Sequence, residues 1–263
     1  MENRSKLRIV QYAVLIVCAV VFVVCAVFLV KALLGYSRAN SFYDDMTAEN
    51  VDHETEPPQS GDVTPAWAQQ LMDSYTQIKA QYPNVVGYIH IPSVGISYPT
   101  VQGEDNEYYM THLVSGQENK SGSIFLDFRI DTSPLAAKNL VLYGHNMNDK
   151  SMFHNVRDLF DEQTFTETRV EYVCADGVFV YDALSIYVTD TSDIYFMYDF
   201  YSDESYAAFF DDRASQSRIP AQYAEASHMI TLVTCSNSIT NPDQRFIFHG
   251  MLTEIYTEFE ERP

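Results

Sequence analysis

Residues 9–30 form an almost unbroken apolar run, with Gln11 its only strongly polar member. A helix of about 20 such residues crosses the hydrocarbon core of a bilayer. No polar face interrupts the run, so it does not read as a surface helix of a soluble domain. It is also longer than the roughly 7–15-residue core of a secretory signal, and no small-residue cleavage site follows it. The spacing predicts one membrane anchor over 9–34, preceded by a short N-terminus, 1–8. Arg4, Lys6 and Arg8 precede the span, while Lys31 and Arg38 follow it. The positive-inside rule then leans towards a cytoplasmic N-terminus. The large acidic remainder supports the same orientation, with the domain outside the cell.

The chain carries 36 acidic and 16 basic side chains, for a formal net charge of −20. Residues 1–40 hold the basic side chains just named and a single acid, Glu2, so the remainder is more acidic still. Such a surface repels a nucleic-acid backbone, and no basic stripe offsets it. Solubility is the plain reading of the acidity. Residues 35–63 are polar, acidic and Pro-containing, and predict a linker ahead of a domain over 64–263. Cys18 and Cys25 lie in the apolar run, leaving Cys174 and Cys235 for the domain. Outside the cytoplasm these two could form one disulfide. No paired Cys or Cys/His spacing suggests zinc, and the sequence calls for no cofactor.

The domain opens on a helix. Thr64 reads as its N-cap with Pro65 at the first helical position, and Trp67, Leu71, Tyr75, Ile78 and Tyr82 share one face. Pro83 ends it. From Val85 the period changes. Short β-rich runs are predicted at 85–91, 96–101, 123–128, 140–143, 169–174, 178–188, 229–234 and 246–256. Asp176-Gly177 between two of them is a hairpin signal. About eight strands at this density argue a closed or nearly closed β-barrel, a mainly β fold. Two helical insertions interrupt it. One is a turn or short helix over 151–160. The other, at 203–215, has Ser202 as its cap and a Tyr206/Phe209/Phe210 face. There is no internal repeat.

Three strand ends carry chemistry. Met229 to Thr234 runs into Cys235, and the polar Ser236-Asn-Ser follows at once. A cysteine in a β-protein is usually a small buried hydrophobe. A thiol at a strand end beside polar residues is a candidate nucleophile, which needs a nearby base or cation to ionise. Tyr143-Gly144-His145-Asn146 places His145 just past another apolar strand, where it suits a general acid for a leaving amine. His249 competes, but it lies within the last strand; His112 and His154 have no comparable setting. Arg245 opens that last strand and could donate to the oxyanion of a tetrahedral intermediate. It could equally be an ordinary surface arginine.

Thr231-Leu-Val-Thr-Cys235 resembles the T-L-x-T-C signature of sortases, the cysteine transpeptidases of Gram-positive surfaces. His145 upstream in Gly-His-Asn and Arg245 ten residues after the cysteine are similar to that family's triad, in the right order. The resemblance covers about residues 64–257. It looks like the class B branch, through Gly144-His-Asn-Met147 followed by Ser151-Met-Phe153, the N-terminal helical region and the 203–215 helix. Val233 and Ser236 depart from residues common in that class. What the resemblance implies is a sortase-like closed barrel and a two-step acyl transfer. Cys235 would cleave a sorting motif of a secreted protein after Thr. His145 would protonate the leaving amine and Arg245 would hold the oxyanion. A peptidoglycan precursor or another amine would then accept the acyl group. By motif match Asn106, Met110, Tyr143 and Thr234 would line the peptide groove, although core packing explains Tyr143 and Met110 equally well. An L,D-transpeptidase is a poor alternative, because no Ser-His-Gly-Cys run exists. A catalytically silent sortase-like barrel, acting as a membrane-anchored binding or assembly module, is the other.

Overall fold

The computed structural model describes residues 2–47, 51, 64–224, 226–238 and 240–259. Helix α1, Glu2–Asp44, is long and apolar enough to cross a membrane, and its side chains from Gln11 to Val24 are exposed. It does not stop where the anchor was expected to end. Its last turns continue into the expected 35–63 linker and pack on the domain, burying Ala39, Tyr43 and, just beyond, Met46. The Tyr43 hydroxyl donates to Gly122 O (2.8 Å), and Asn119 Nδ2 donates to Gly35 O (3.0 Å). Positions 39 and 43 lie on one helix face, and Met46, in the turn that follows, continues the buried stripe. That periodicity is hidden when the segment is read by its acidic, polar composition. The Pro-containing stretch 52–63 lies outside the described residues.

Helix α2, Ala66–Gln81, follows one residue later than expected. Pro65, not Thr64, is its cap, and no side chain caps it. Thr64 Oγ1 instead donates to Glu258 O, tying the domain's first described residues to its last. Ala68, Leu71, Tyr75 and Ile78 form its buried face.

All eight expected strands form, and they close. They are β1 Val85–Ile91, β2 Ile96–Gln102, β3 Ile124–Leu126, β4 Asn139–Tyr143, β5 Arg169–Cys174, β6 Gly177–Asp190, β7 Met229–Cys235 and β8 Gln244–Tyr256. The order around the barrel is β1-β2-β3-β4-β7-β8-β6-β5. The pairs β2–β3 and β4–β7 are parallel and the others antiparallel. Closure removes every exposed edge from a β-rich sequence. Val, Ile, Tyr and Phe dominate these strands and fill the core, with Tyr88, Tyr172, Tyr181, Phe179 and Phe248 fully buried. Each such ring stabilises the fold by roughly 1.5–3 kcal/mol relative to exposure. The β5–β6 hairpin turns through Ala175-Asp176, and Gly177 pairs with Cys174 at φ +142. A Cβ on Gly177 would lie 2.2 Å from Tyr256 O, so only glycine fits there.

Short helices lie between strands. A 3-10 segment, His154–Phe160, runs into α3, Glu162–Thr166, which the sequence reading did not anticipate. Helix α4, Asp203–Ser215, starts at Ser202 with a reciprocal Ser202–Ser205 capping pair and buries Tyr206, Phe209 and Phe210. Strand direction then sets the site. Strands β4 and β7 run the same way and β8 runs back, so the end of β4, the end of β7 and the start of β8 share one rim.

Candidate active site

That shared rim carries the thiol, the imidazole and the guanidinium. Cys235 ends β7 and is directly opposite Arg245, which begins β8. Tyr143 pairs with Val233, so His145 stands two residues past β4 as Cys235 stands two past Val233. Gly144 N donates to Val233 O (3.2 Å), keeping the two strand ends level. All three side chains are half-buried. Gly144 is required: a Cβ there would lie 2.5 Å from Ile124 Cδ1 and 2.7 Å from the Phe153 ring.

Each member has defined partners. His145 Nε2–H donates to Met110 O (2.7 Å). Arg245 Nη1 donates to Pro242 O (2.9 Å) and Gln244 O (3.0 Å). The Cys235 carbonyl accepts from Asn146 Nδ2 (2.8 Å), and Asn146 O accepts from Asn237 Nδ2 (2.8 Å). The loops after His145 and Cys235 are thus laced together. They also hold the only non-glycine positive-φ residues among those described: Lys150 (φ 71), Met152 (φ 58) and Asn237 (φ 56). Backbone in that region is disfavoured for such side chains and persists where surrounding contacts over-determine it. Here Phe153 N donates to His145 O (2.9 Å), and Asn146 bridges Met152.

The four expected groove residues separate. Asn106 and Tyr143 meet on Asp127, whose Oδ2 accepts from Asn106 Nδ2 (3.0 Å) and the Tyr143 hydroxyl (3.1 Å). Arg129 closes on the same carboxylate from Nε (2.8 Å) and Nη2 (2.7 Å). Burial works against the Asp127 charge, but Arg129, the Arg129 N–H and Asn106 outweigh it and hold the carboxyl below its usual range. Met110 lies beside His145 through its carbonyl and exposes its side chain. Thr234 is buried, and its hydroxyl has no partner among the described residues. Asp127 falls inside the expected 123–128 run but lies just past the observed end of β3, and in sequence nothing marks it off from any acid near a strand end.

The sequence reading passed over Tyr195. This residue is buried in the segment between β6 and α4, within electrostatic range of both Arg245 and Cys235. Burial raises its phenol pKa; the Arg245 charge opposes this. A buried polar chain pins the segment. Arg213 Nη1 donates to both Asp193 oxygens (2.9 and 3.0 Å) and to the Tyr187 hydroxyl (3.0 Å). Tyr187 donates to His249 Nε2 (3.0 Å), and His249 Nδ1–H donates to Thr231 Oγ1 (2.8 Å). Thr231 donates to Asn139 Oδ1 (2.7 Å), and Asn139 Nδ2 to Met197 O (2.8 Å). Asp193 and Met197 flank Tyr195, so the segment is held at both ends. His249 is fully buried within this chain, and burial followed by the Arg213 charge lowers its pKa to about 3. It is a neutral structural residue, which ends its competition with His145. Among the described residues no three His, Cys, Asp or Glu side chains gather as a metal site.

Fold and rim together define a closed β-barrel protein with Cys, His and Arg at the ends of three adjoining strands. The family model of the Sortase domain matches residues 89–253. Sortase B of Staphylococcus aureus is 27% identical over 175 residues, which cover 65% of this chain and 71% of that protein. Sortase B of Listeria monocytogenes is 27% identical over 188 residues, covering 70% and 75%. The solved S. aureus sortase B–substrate complex superposes with a TM-score of 0.64 at 25% identity, covering 70% of this chain and 86% of that one. The chain belongs to the sortase family, in its class B branch. It is a cysteine transpeptidase.

Proposed function

We propose that Cys235, His145 and Arg245 are the catalytic residues of this transpeptidase. The Cys235 thiolate attacks the carbonyl of the threonine in a sorting motif near the C-terminus of a secreted protein. The new C–S bond forms, the scissile C–N bond breaks, and imidazolium His145 gives its proton to the leaving amine. A thioester and a neutral imidazole remain. An amine, from peptidoglycan precursor or another acceptor, then forms a C–N bond as the C–S bond breaks. Its proton passes to His145 and the thiolate is recovered. Arg245 donates to the oxyanion of both tetrahedral intermediates. For this it turns from the backbone carbonyls it now contacts.

One observation carries the reading: Cys235 and Arg245 face each other in register while His145 stands level with them on the neighbouring parallel strand. Tyr143, Asn106 and Met110 line the peptide groove. Thr234, being buried, backs the groove from beneath. Helix α1 anchors the chain by a single span with the N-terminus in the cytoplasm and the domain at the outer surface, as its length and flanking charges favour. The test uses the full chain in detergent with peptides bearing NPxTx, SPxTx and LPxTx motifs, read by intact mass. A thioester on Cys235 is expected with one of them. A thiol inert both to every peptide and to an alkylating probe would favour the silent barrel instead.

A further inference from the structure

Helix α1 runs without a break from its apolar span to Asp44, and its last turns touch both segments that hold His145. The first is the long connection from β2 to β3, residues 103–123. Its Met110 carbonyl accepts from His145 Nε2 (2.7 Å). Tyr43, only 3% exposed, donates to Gly122 O (2.8 Å) in the same connection and lies 3.0 Å from Ser123 Oγ. Gly122, at φ +59, sits hard against the Met110 turn. A Cβ there would lie 2.5 Å from Tyr109 O and 2.7 Å from Met110 O. Ser123 N donates to Tyr109 O (2.9 Å) and Ser123 Oγ to His112 O (2.8 Å), so the connection is closed on itself where Tyr43 grips it.

The second segment is the loop after His145. The Tyr43 ring packs edge-on against the Tyr98 ring, with centroids 5.4 Å apart. The Tyr98 hydroxyl accepts from Met152 N (3.1 Å). Met152 is one of the positive-φ residues, and the next N–H, that of Phe153, holds His145 O. Nearly one turn earlier on α1, Asn40 Nδ2 donates to Asp149 Oδ2 (3.3 Å). Asp149 Oδ1 in turn accepts from Ser151 N (3.2 Å) and Ser151 Oγ (2.7 Å). Asn40 and Tyr43 are three residues apart and therefore neighbours on one helix face.

We propose that Tyr43 and Asn40 are positioning residues for the His145 imidazole, which makes the end of α1 part of the catalytic framework. The inference rests on the reading of His145 as acid and base. A general acid works only within hydrogen-bond reach of the leaving amine, and a misplacement of about 1 Å costs on the order of 10²-fold. Two contacts fix His145: its Nε2 on Met110 O, and its backbone carbonyl on Phe153 N. The end of α1 buttresses the turn behind each. The Asn106 and Tyr143 side of the groove is held separately, on Asp127, so peptide binding should stand when α1 is loosened.

The test compares the full chain in detergent with three variants. Tyr43→Phe keeps the ring against Tyr98 and deletes the hydroxyl. Asn40→Ala removes the second contact, and Ser37→Ala, at an exposed position of α1, is the control. Thioester formation is followed by intact mass over a range of sorting-peptide concentrations. The His145 ring is followed by nitrogen NMR of histidine-labelled chain, its signals assigned by their loss in His145→Gln. Tyr43→Phe is expected to lower the maximal acylation rate about fivefold, with KM within about twofold, and to shift the His145 Nε2 signal. Asn40→Ala should do the same with about a twofold loss, and Ser37→Ala should do neither. His145 signals and maximal rates that stay put in both variants, with only the melting temperature lowered, overturn the proposal, because the helix end then merely packs. A ring that shifts without a change in rate overturns it too. So does a rise in KM at an unchanged maximal rate, because α1 then acts on the groove. An unaltered chain that forms no thioester with any peptide fails the transpeptidase reading by itself; the His145 signals then decide whether α1 positions the ring.

Discussion

Cys174 and Cys235 look alike in sequence and differ in almost everything the fold supplies. Each ends a β-strand and each is followed within a few residues by a turn or polar loop. Strand β7 is antiparallel to β8, β8 to β6 and β6 to β5, so β5 and β7 run in opposite directions. Cys174 therefore lies at the barrel rim opposite Cys235. The single disulfide that two domain cysteines allowed is excluded by this topology, since bridged Cα atoms must lie within about 7 Å, and both thiols are free. Cys174 is only 2% exposed, and burial pushes its thiol up to about 11. Cys235 is half-buried opposite a guanidinium and level with an imidazole. A strand-end thiol is made a nucleophile by its neighbours, and those neighbours come from other strands.

The largest effect should separate the two cysteines outright. Cys235→Ala is expected to fold normally and to lose transpeptidation by on the order of 10⁴-fold or more. Cys174→Ala should keep near-normal turnover at temperatures where it stays folded. Comparable losses at both positions, measured by release of a quenched sorting peptide, would erase the distinction. Arg245→Lys should cost about 10²–10³-fold in kcat/KM. A point charge does not reproduce the planar fork of donors. A lysine enzyme running near the normal rate would mean that Arg245 merely caps the loop through Pro242 O.

The strands and the three candidate catalytic positions were legible because each rests on local pattern: a β-rich run, then a chemical residue at its end. The parallel β2–β3 and β4–β7 pairings were not, because they join segments far apart in sequence and leave no local mark. Helix α1 shows a different failure. Averaged over 35–63, acids and prolines argue a tether, whereas the 39/43/46 spacing argues a docked face. Tyr195 and Asp127 were invisible for a third reason. Their roles depend on Arg245 being brought near Tyr195, and on Asn106 and Tyr143 being brought to Asp127, and an isolated Tyr or Asp carries no signal of that. Thr231 stands out in sequence only as part of a signature, yet its hydroxyl joins His249 to Asn139 within the core.

That hydroxyl gives a subtler test of how neighbours make the site. Thr231→Val keeps the side-chain shape and removes the link, leaving His249 Nδ1–H buried without an acceptor. A loss of about 1–3 kcal/mol in denaturant unfolding is expected. Turnover should also fall, by about tenfold or less, because Asp193 and Met197 hold the Tyr195 segment through this chain. Acid probes the same link. His249 titrates near 3 when folded and near 6.5 when unfolded. Below about pH 6.5 the unfolded chain therefore binds a proton that the native chain refuses. His249 should thus erode stability as pH falls from about 6.5 towards 3, and be indifferent above that window. A His249→Gln chain whose melting temperature falls as steeply over that range as the unaltered chain's would remove His249 from the account.

The smallest effects belong to Cys174, and they sharpen the contrast from its inert side. With its thiol pushed up to about 11, very little thiolate exists at pH 8, and burial denies a reagent access. Iodoacetamide at pH 8, with adducts located by peptide mass, should label Cys235 in the folded chain and reach Cys174 only after denaturant. Labelling of Cys174 in the native state would show a barrel rim that opens. Substitution then asks what the buried sulfur contributes. Cys174 lies near Tyr75 of α2 and Tyr172 of its own strand. Cys174→Ala removes one sulfur from that packing and should cost about 1–2 kcal/mol. Cys174→Ser should cost at least as much, because it buries a hydroxyl that must find a partner. Serine as stable as cysteine would mean that the site behaves as a polar hairpin end rather than as core.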